Sequence, residues 1–345
     1  MHKPELSVVI LNWNTRSLLE EFIPKVIMNS APCDAVEIVL ADNGSADDSV
    51  AWVRQHHPEV KVLELGDNLG FAGGYNEALS RLESEFAVLL NSDVAPGKGW
   101  LPPLLKTMNE NTDVAACVPA IKDVRSPDYF EYAGAAGGFI DVLGYTFCRG
   151  RLFDVAEKDS GQYKKPGTVF WGSGAALMVN RKLFLETGGL DEAFFAHMEE
   201  VDWCWRVKNM GYHIFYVPES EVFHLGGGTL SYQNPNKTYL NFRNNLYMMR
   251  KNLHRRSLLT ISFRILMDGL AFIHFLVKGE TRNASAVFRA HQDFLKNYGK
   301  FKTVNSKLKQ GVKKIDHPEI YHGSIVWDFF LRRKKYFHSL NFRNF

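Results

Sequence analysis

Short apolar runs rich in β-branched residues alternate with helix-spaced segments through the first 110 or so residues. "LSVVILNWN" (6–14) has the pattern of a strand buried on both faces, and "RSLLEEFIPKVIMNS" (16–30) that of the helix after it. The order repeats in "EIVLADNGSADDSVAWVRQH" (37–56), in "VKVLELGDNLGFAGGYNEALSRL" (60–82) and in "FAVLLNSDV" (86–94). Strand–loop–helix units in succession predict a doubly wound α/β sheet. Three of the runs lead into Asn12, Asp42 and Asp93. In open sheets of this kind ligands bind beyond the carboxyl ends of the strands, so these tips are expected to line a site.

Beyond Pro119 the pattern becomes irregular. "YAGAAGGFIDVLGY" (132–145) is rich in Gly and aromatics, "GTVFWGSGAALMVNR" (167–181) is strand-like, and "TGGLDEAFF" (187–195) reads as a turn. A helix is expected over "MEEVDWCWRVKNMG" (198–211), closed by Gly211, and a strand over "HIFYVPESEVFHLGGGT" (213–229). From about 235 onward the spacing is that of tail helices, and no internal repeat is visible.

The formal net charge of +3 conceals a division: residues 1–230 carry 19 Lys/Arg against 32 Asp/Glu, whereas residues 231–345 carry 22 against 6. An acidic body followed by a basic tail points to an anionic partner for the tail, a membrane surface or a nucleic acid. The acidic body and the lack of any recognition motif argue against nucleic acid. The tail also holds "LLTISFRILMDGLAFIHFLVKG" (258–279), interrupted by Arg264, Asp268 and His274. Those residues disfavour a full span and suit an amphipathic helix in the membrane interface with its charges outward, or else a core-packing helix pair with a solvated basic face. Cys33, Cys117, Cys148 and Cys204 form no C-x-x-C pair, and the N-terminus lacks a signal-peptide pattern. Both observations point to a reducing, cytoplasmic setting.

Several clusters carry candidate chemistry. "NLGFAGGYN" (68–76) is a Gly-rich loop, but Gly70, Gly73 and Gly74 do not make the G-x-G-x-x-G of a dinucleotide site, which argues against a nicotinamide-dependent oxidoreductase. Asp42 is placed to accept hydrogen bonds from a base or ribose, while Asp47 and Asp48 sit where they would satisfy the next helix start. Asn91-Ser92-Asp93 offers an amide and a carboxylate at a strand end, and a hard divalent cation needs only one or two protein carboxylates beside a diphosphate. On a helix, Glu200 shares a stripe with Trp203, Cys204 and Val207 and so points inward, while Glu199, Asp202 and Arg206 share another face. A carboxylate facing a partly dry pocket has a raised pKa, which suits a general base near neutral pH. His224 ends a strand and could be a metal ligand or a satisfied structural residue.

The order of "VVILNWN", "LADNGSADDS", "NLGFAGGYNEAL", "LLNSDV", "GSGAALMVNRKLF", "GGLDEAFFAHMEEVDWCWR" and "VFHLGGGT" resembles the inverting family 2 glycosyltransferases of the GT-A fold, in particular the bacterial rhamnosyltransferase-like branch. The resemblance implies a GT-A catalytic domain over 1–234, with a nucleotide-binding half 1–118 and an acceptor-binding half 119–234. A basic, membrane-associating helical extension follows over 235–345. It implies nucleotide contacts from Asn12, Asn14, Asp42, Asn68, Gly70, Gly74 and Asn91, and a divalent metal, Mg²⁺ or Mn²⁺, at Asp93 with His224. Asn91 stands in the first position of the family's D-x-D motif and removes one charge from that site. Glu200 replaces the usual Asp as general base, and Glu199 and Asp202 would position acceptor hydroxyls or brace the helix. Trp171, Gly172 and Ser173 would form a sugar-binding wall, or else a core Trp beside a glycine turn. The implied reaction moves a sugar, L-rhamnose or another hexose, from a dTDP-, UDP- or GDP-sugar to a glycan or polyprenyl-diphosphate-linked acceptor at the inner membrane face, in surface-polysaccharide assembly. Arg243, Arg250, Lys251, Arg255 and Arg256 are the candidates for headgroups or the lipid diphosphate. A non-catalytic sugar-nucleotide or membrane-binding module is the remaining alternative.

Overall fold

The computed structural model describes residues 4–30, 35–131, 134–226, 234–253, 257–300 and 317–342. The four predicted apolar runs become β1 (Leu6–Asn12), β2 (Val36–Asp42), β3 (Lys61–Glu64) and β4 (Phe86–Asn91), parallel in the order β3-β2-β1-β4. Each connection between them is a helix: α1 (Arg16–Ser30), α2 (Ser49–His56) and α3 (Gly70–Ser80). Burial on both faces is what the runs of Val, Ile and Leu require, and every residue of β1 except Leu11 is buried.

Past β4 the chain makes β5 (Val94–Pro96), α4 (Leu101–Glu110) and β6 (Val114–Asp123). The chain then builds a small second sheet from β7 (Gly138–Asp141), β8 (Thr146–Cys148), β9 (Arg151–Leu152) and β10 (Val155–Ala156). The single strand expected over 167–181 is two, β11 (Gly167–Val169) and β12 (Ala176–Asn180). Between them Trp171 leaves the main sheet to bond Gly138 of β7, where the Gly138 N–H donates to the Trp171 carbonyl at 3.0 Å. β12 runs antiparallel between β4 and β6, and β13 (His213–His224) lies parallel beside β6. The main sheet is therefore mixed, in the order β11-β13-β6-β12-β4-β1-β2-β3, with β5 paired to the end of β13.

On one face of the sheet Leu19 and Ile23 of α1 and Leu101 and Leu104 of α4 form a core with Val8, Ile10 and Leu90. On the other, Ala72 and Tyr75 of α3 pack with Phe184 of α5 (Arg181–Glu186) and with Trp203 and Val207 of α6 (Glu199–Asn209). α6 stops as expected before Gly211, whose φ of +100° a side chain would resist.

The C-terminal region differs from a free basic tail. α7 (Pro235–Asn252) packs against α6, and α8 (Ser257–Val277) and α9 (Thr281–Asn297) follow it. β14 (Ile320–Tyr321) adds a parallel strand to β7, and α10 (Ile325–Phe330) follows it. Lys251 is buried and pairs with Asp191 and Asp202, both at 2.6 Å. Arg243 donates to the Phe194 carbonyl at 3.1 Å, and Arg250 lies over the Tyr298 ring at 4.5 Å. For Lys251 the expectation of a lipid partner is corrected, because Asp191 and Asp202 enclose its ammonium, whereas Arg243 and Arg250 are half-buried. Arg255 and Arg256 lie outside the described residues.

The polarity expected for α8 is also reversed. Ile261, Arg264 and Asp268 form its buried stripe, while Leu259, Leu266, Leu270 and Ile273 are exposed. Arg264 donates to Asp268 at 2.8 Å, to Asn245 at 2.5 Å and to the Leu143 carbonyl at 3.0 Å, and Tyr145 donates to Asp268 at 2.9 Å. The charges are the docking side of the helix.

Candidate active site

The pairing of β5 with the end of β13 sets Val94 opposite His224 and so brings Asp93 to the imidazole. His224 Nε2 lies 3.1 Å from Asp93 Oδ1, and its Nδ1 lies 3.0 Å from Glu131 Oε2. All three side chains are buried. Burial alone would depress the imidazole, but hydrogen bonds and charge from Asp93 and Glu131 overcome it and hold the His224 pKa at about 10. Glu131 was missed in the sequence: "DYFEYAG" has no spacing that separates this Glu from a surface one, and only the fold carries it to His224. Of the glycines after His224, Gly226 lies against Glu131, where a Cβ would meet Oε1 at 2.6 Å, and 227–229 lie outside the described residues.

At the nucleotide end, Asn12 is wholly buried and donates to Asp42 at 2.7 Å and to Ser49 at 2.8 Å. Asp42 also accepts the Ser45 N–H at 3.1 Å. Asn14 adopts a left-handed φ of +54° and accepts the Ala46 N–H at 2.7 Å, so it staples the loop after β2. Asn12 and Asn14 thus brace the loop after β2, and Asp42 has its carboxylate at the strand tip. Asn68 accepts the Gly70 N–H at 2.9 Å, and Asn43, missed in the sequence, accepts the Leu69 N–H at 3.0 Å. The glycine-rich loop is shorter than expected, because α3 begins at Gly70. Gly74 is helical, and its missing Cβ serves packing: one would lie 2.7 Å from the Leu11 side chain. Gly70, with φ +72° beside the Phe195 ring, keeps the conformational role. Asn91 donates its backbone N–H to the Ala175 carbonyl at 3.0 Å as β4 ends.

Glu199 and Glu200 occupy the first turn of α6, and each has one carboxylate oxygen that is buried without a hydrogen-bond partner. Burial raises the Glu200 pKa to about 7 and, with repulsion from Glu200, lifts Glu199 well above the carboxylate range. Asp202 behaves oppositely. It is fully buried, but Lys251, Arg206 at 2.9 Å and Asn252 at 2.8 Å hold it ionised, with its pKa below the ordinary value. Asp202 is therefore a brace of the helix with no oxygen to spare for an acceptor. Its face is not solvated, because α7 covers it.

The loop entering α6 is held in rare backbone states, with φ of +65° at Phe195, +71° at His197 and +75° at Met198. The Asn244 amide on α7 secures it, donating to the carbonyls of Phe194, Ala196 and His197 at 2.8–2.9 Å. His197 Nε2 is buried without a partner, and burial first, then Lys237, lowers its pKa to about 4. The loop reaches the nucleotide end through the Phe71 N–H, which donates to the Phe195 carbonyl at 3.3 Å.

The sugar wall is corrected. Trp171 is buried, and its Nε1 donates to the Phe139 carbonyl at 2.9 Å. A Cβ on Gly172 would lie 2.2 Å from Val118, and the buried Ser173 accepts the Ala175 N–H at 3.1 Å. These residues make the crossing between the sheets. Trp13, just past the tip of β1, is half exposed.

A model of glycosyl transferase family 2 matches residues 7–184 of the chain, the span from β1 through the crossing to α5. The chain belongs to that family. An N-acetylglucosaminyl-diphospho-decaprenol L-rhamnosyltransferase of Mycobacterium tuberculosis is 30% identical over 237 residues, 64% of this chain and 75% of that protein. Among solved structures, the Pyrobaculum calidifontis mannosyltransferase PcManGT, in complex with GDP-Man and Mn²⁺, superposes with a TM-score of 0.53 at 16% identity, over 86% of this chain and 88% of its own. GalNAc-T7 with UDP, GalNAc and Mn²⁺ gives 0.55 at 17% identity, covering 72% of this chain, which spans 48% of that one. The fold is the GT-A fold, and family membership removes the oxidoreductase reading.

Proposed function

We propose that this family 2 enzyme is an inverting transferase. It moves a hexose, L-rhamnose being the first to test, from a nucleoside-diphosphate sugar to a saccharide carried on a polyprenyl diphosphate. The work takes place at the inner face of the cell membrane, in cell-surface polysaccharide synthesis. The observation that carries the reading is Glu200: in the first turn of α6 it keeps a buried carboxylate oxygen without a hydrogen-bond partner, and burial lifts its pKa to about 7, which suits a group that accepts a proton. The rhamnosyltransferase relative supports a lipid-linked acceptor and a rhamnose donor, and the exposed apolar face of α8 supports work at a membrane.

Among the described residues no three or more His, Cys, Asp and Glu side chains converge as a metal cage, so a divalent ion would rest on few protein ligands. Asp93 and His224 fit that role. Asp93 Oδ1 and His224 Nε2, 3.1 Å apart, are the atoms that would hold it. Asp93 and Glu131 hold the imidazole protonated, so an ion at Nε2 would have to displace the proton there, with Glu131 keeping the hydrogen on Nδ1. Asn91 withholds a second carboxylate, which leaves coordination positions to diphosphate oxygens and water. When bound, the ion neutralises charge growing on the leaving diphosphate.

The residues of the chain divide the remaining work. Asp42 accepts hydrogen bonds from the base or ribose, with Asn68 and Gly70 shaping the pocket. Glu200 takes the proton of the acceptor hydroxyl as that oxygen forms its bond to the anomeric carbon. The carbon–oxygen bond to the diphosphate breaks on the opposite face, and the configuration inverts. Glu199, which burial and the neighbouring Glu200 push toward the protonated form, would position the acceptor or brace the helix. The catalytic unit is 1–234, with halves 1–118 and 119–234, and of the 235–345 extension α7 serves the site through Asn244 and Lys251.

A panel of dTDP-rhamnose, UDP- and GDP-sugars, with Mg²⁺, Mn²⁺ or EDTA and a lipid-linked acceptor, tests the reading. Metal-stimulated transfer from one donor, an inverted anomeric centre by NMR, and loss of turnover in Glu200→Gln are expected. Donor binding with no turnover by the wild type would replace it with the non-catalytic module.

A further inference from the structure

The reversed polarity of α8 and a second surface near it lead to one inference, which rests on the membrane reading above. We propose that the outer face of α8 and the segment from α10 to Tyr336 form one bipartite contact surface for an anionic phospholipid bilayer. The first part inserts apolar side chains, and the second anchors at the headgroups.

α8 is long and apolar enough to cross a membrane, yet its one buried stripe is pinned to the body through Arg264 and Asp268. A helix so docked lies along the protein surface and offers its other faces outward. Those faces carry Leu266 at 69% exposure and Val277 at 82%, with Leu259, Leu270 and Ile273 also exposed. A water-facing helix has the opposite arrangement, charges out and leucines in. Leaving this much apolar surface in contact is a signature of a membrane or partner interface.

The second part has the composition of the headgroup region. Trp327 is 50% exposed, and Phe330, Leu331 and Tyr336 are exposed beside it. Arg332 and Arg333 follow at once and are exposed, and Lys335 lies over the Phe329 ring at 3.4 Å. Trp and Tyr favour the depth where an apolar ring meets a polar edge, and clustered Arg/Lys favour anionic lipid.

One turn joins the two parts. The Ile325 N–H at the start of α10 donates to Asp141 at 2.9 Å, and Asp141 also accepts the N–H groups of Leu143 and Tyr145 at 2.9 Å each. Leu143 and Tyr145 are the residues that hold Arg264 and Asp268. Val142, between Asp141 and Leu143, is exposed. Both apolar surfaces are therefore fixed to the same five residues of the β7–β8 connection. The adjoining cations decide the occupant: Arg332 and Lys334 share the single carboxylate of Asp328, so with Arg333 and Lys335 the segment keeps an excess of positive charge, which anionic headgroups complement and the same patch on a second copy of this chain would repel.

The test uses the full-length protein and vesicles of phosphatidylcholine with or without phosphatidylglycerol. The wild type is expected to float with the anionic vesicles and to release at high salt. A blue shift of tryptophan emission should accompany binding and should be lost in Trp327→Phe. Arg332→Gln with Arg333→Gln should weaken flotation about 25-fold, at about 5-fold per cation, and Leu266→Ser with Leu270→Ser should abolish it, both with unchanged circular dichroism. If the wild type does not float, the membrane reading fails and this inference with it. If it floats while the Trp327-dependent shift is absent and the double Gln variant binds as tightly, the membrane reading stands and the bipartite surface is wrong. Dimerisation in light scattering that buries Trp327 without lipid also overturns it.

Discussion

Replacing Lys251 by Met tests how deeply the basic extension is built into the catalytic unit. The ammonium is buried between Asp191 and Asp202, each 2.6 Å away, and Asp202 has no exposure of its own. Removing one partner of a buried ion pair costs about 3–5 kcal/mol, because the other charge is left in low dielectric. Here Arg206 and Asn252 still hold Asp202, and Asp191 is partly solvated, so the lower end, about 3 kcal/mol, applies. At an unfolding entropy of about 2.1 cal/mol/K per residue, the 345 residues make about 0.7 kcal/mol/K, and Tm falls by about 4 °C. The sign with pH follows from Asp202, whose pKa is depressed in the fold. Its pairing stabilises the wild type above the unfolded carboxylate value and is lost as pH falls through the folded one, so the deficit of the variant is full at neutral pH and narrows below about pH 4. Scanning calorimetry from pH 7 down to the acid limit measures this, and adding Asp202→Asn to Lys251→Met should recover part of the loss. A Tm change under about 1 °C at pH 7 would refute the reasoning, since that is how a lipid-facing lysine behaves.

Three further outcomes are expected. Because Glu200 must be ionised to accept a proton and its pKa is about 7, kcat/KM should rise with pH through about 7 and level above it, and a limb below pH 5 would exclude Glu200 as the base. Glu131→Gln should weaken Mn²⁺ binding about 10- to 100-fold by electron paramagnetic resonance titration, and an unchanged affinity would remove Glu131 from the metal's support. Trp171→Ala should destabilise by about 3–5 kcal/mol as a core truncation, whereas an unchanged Tm with a raised acceptor KM would restore the sugar wall.

The comparison of pattern with structure is uneven along the chain for physical reasons. The parallel half was legible because strands buried on both faces must be continuous apolar runs, and the polar residues at their ends mark where the sheet stops. Gly74 was misread because a glycine required for helix-to-strand contact and one required for a loop look alike until the neighbouring Leu11 is placed. Trp171 was open between wall and core for the same reason, since only its bond to Phe139 and its burial distinguish them.

By itself the sequence determined what is encoded locally: the doubly wound half, the i,i+4 pair of Asp202 and Arg206, and the order of motifs that marks family 2. Only the tertiary structure decided what depends on chain segments far apart. It brought Glu131 to His224 across 93 positions, Lys251 to Asp202 across 49 and Tyr145 to Asp268 across 123. Those meetings turned a solvated face into a brace, a basic tail into part of the catalytic unit, and the charged stripe of α8 inward. Charge and periodicity state which side of a helix differs from the other. Which side meets water is set by the surface against which the helix docks.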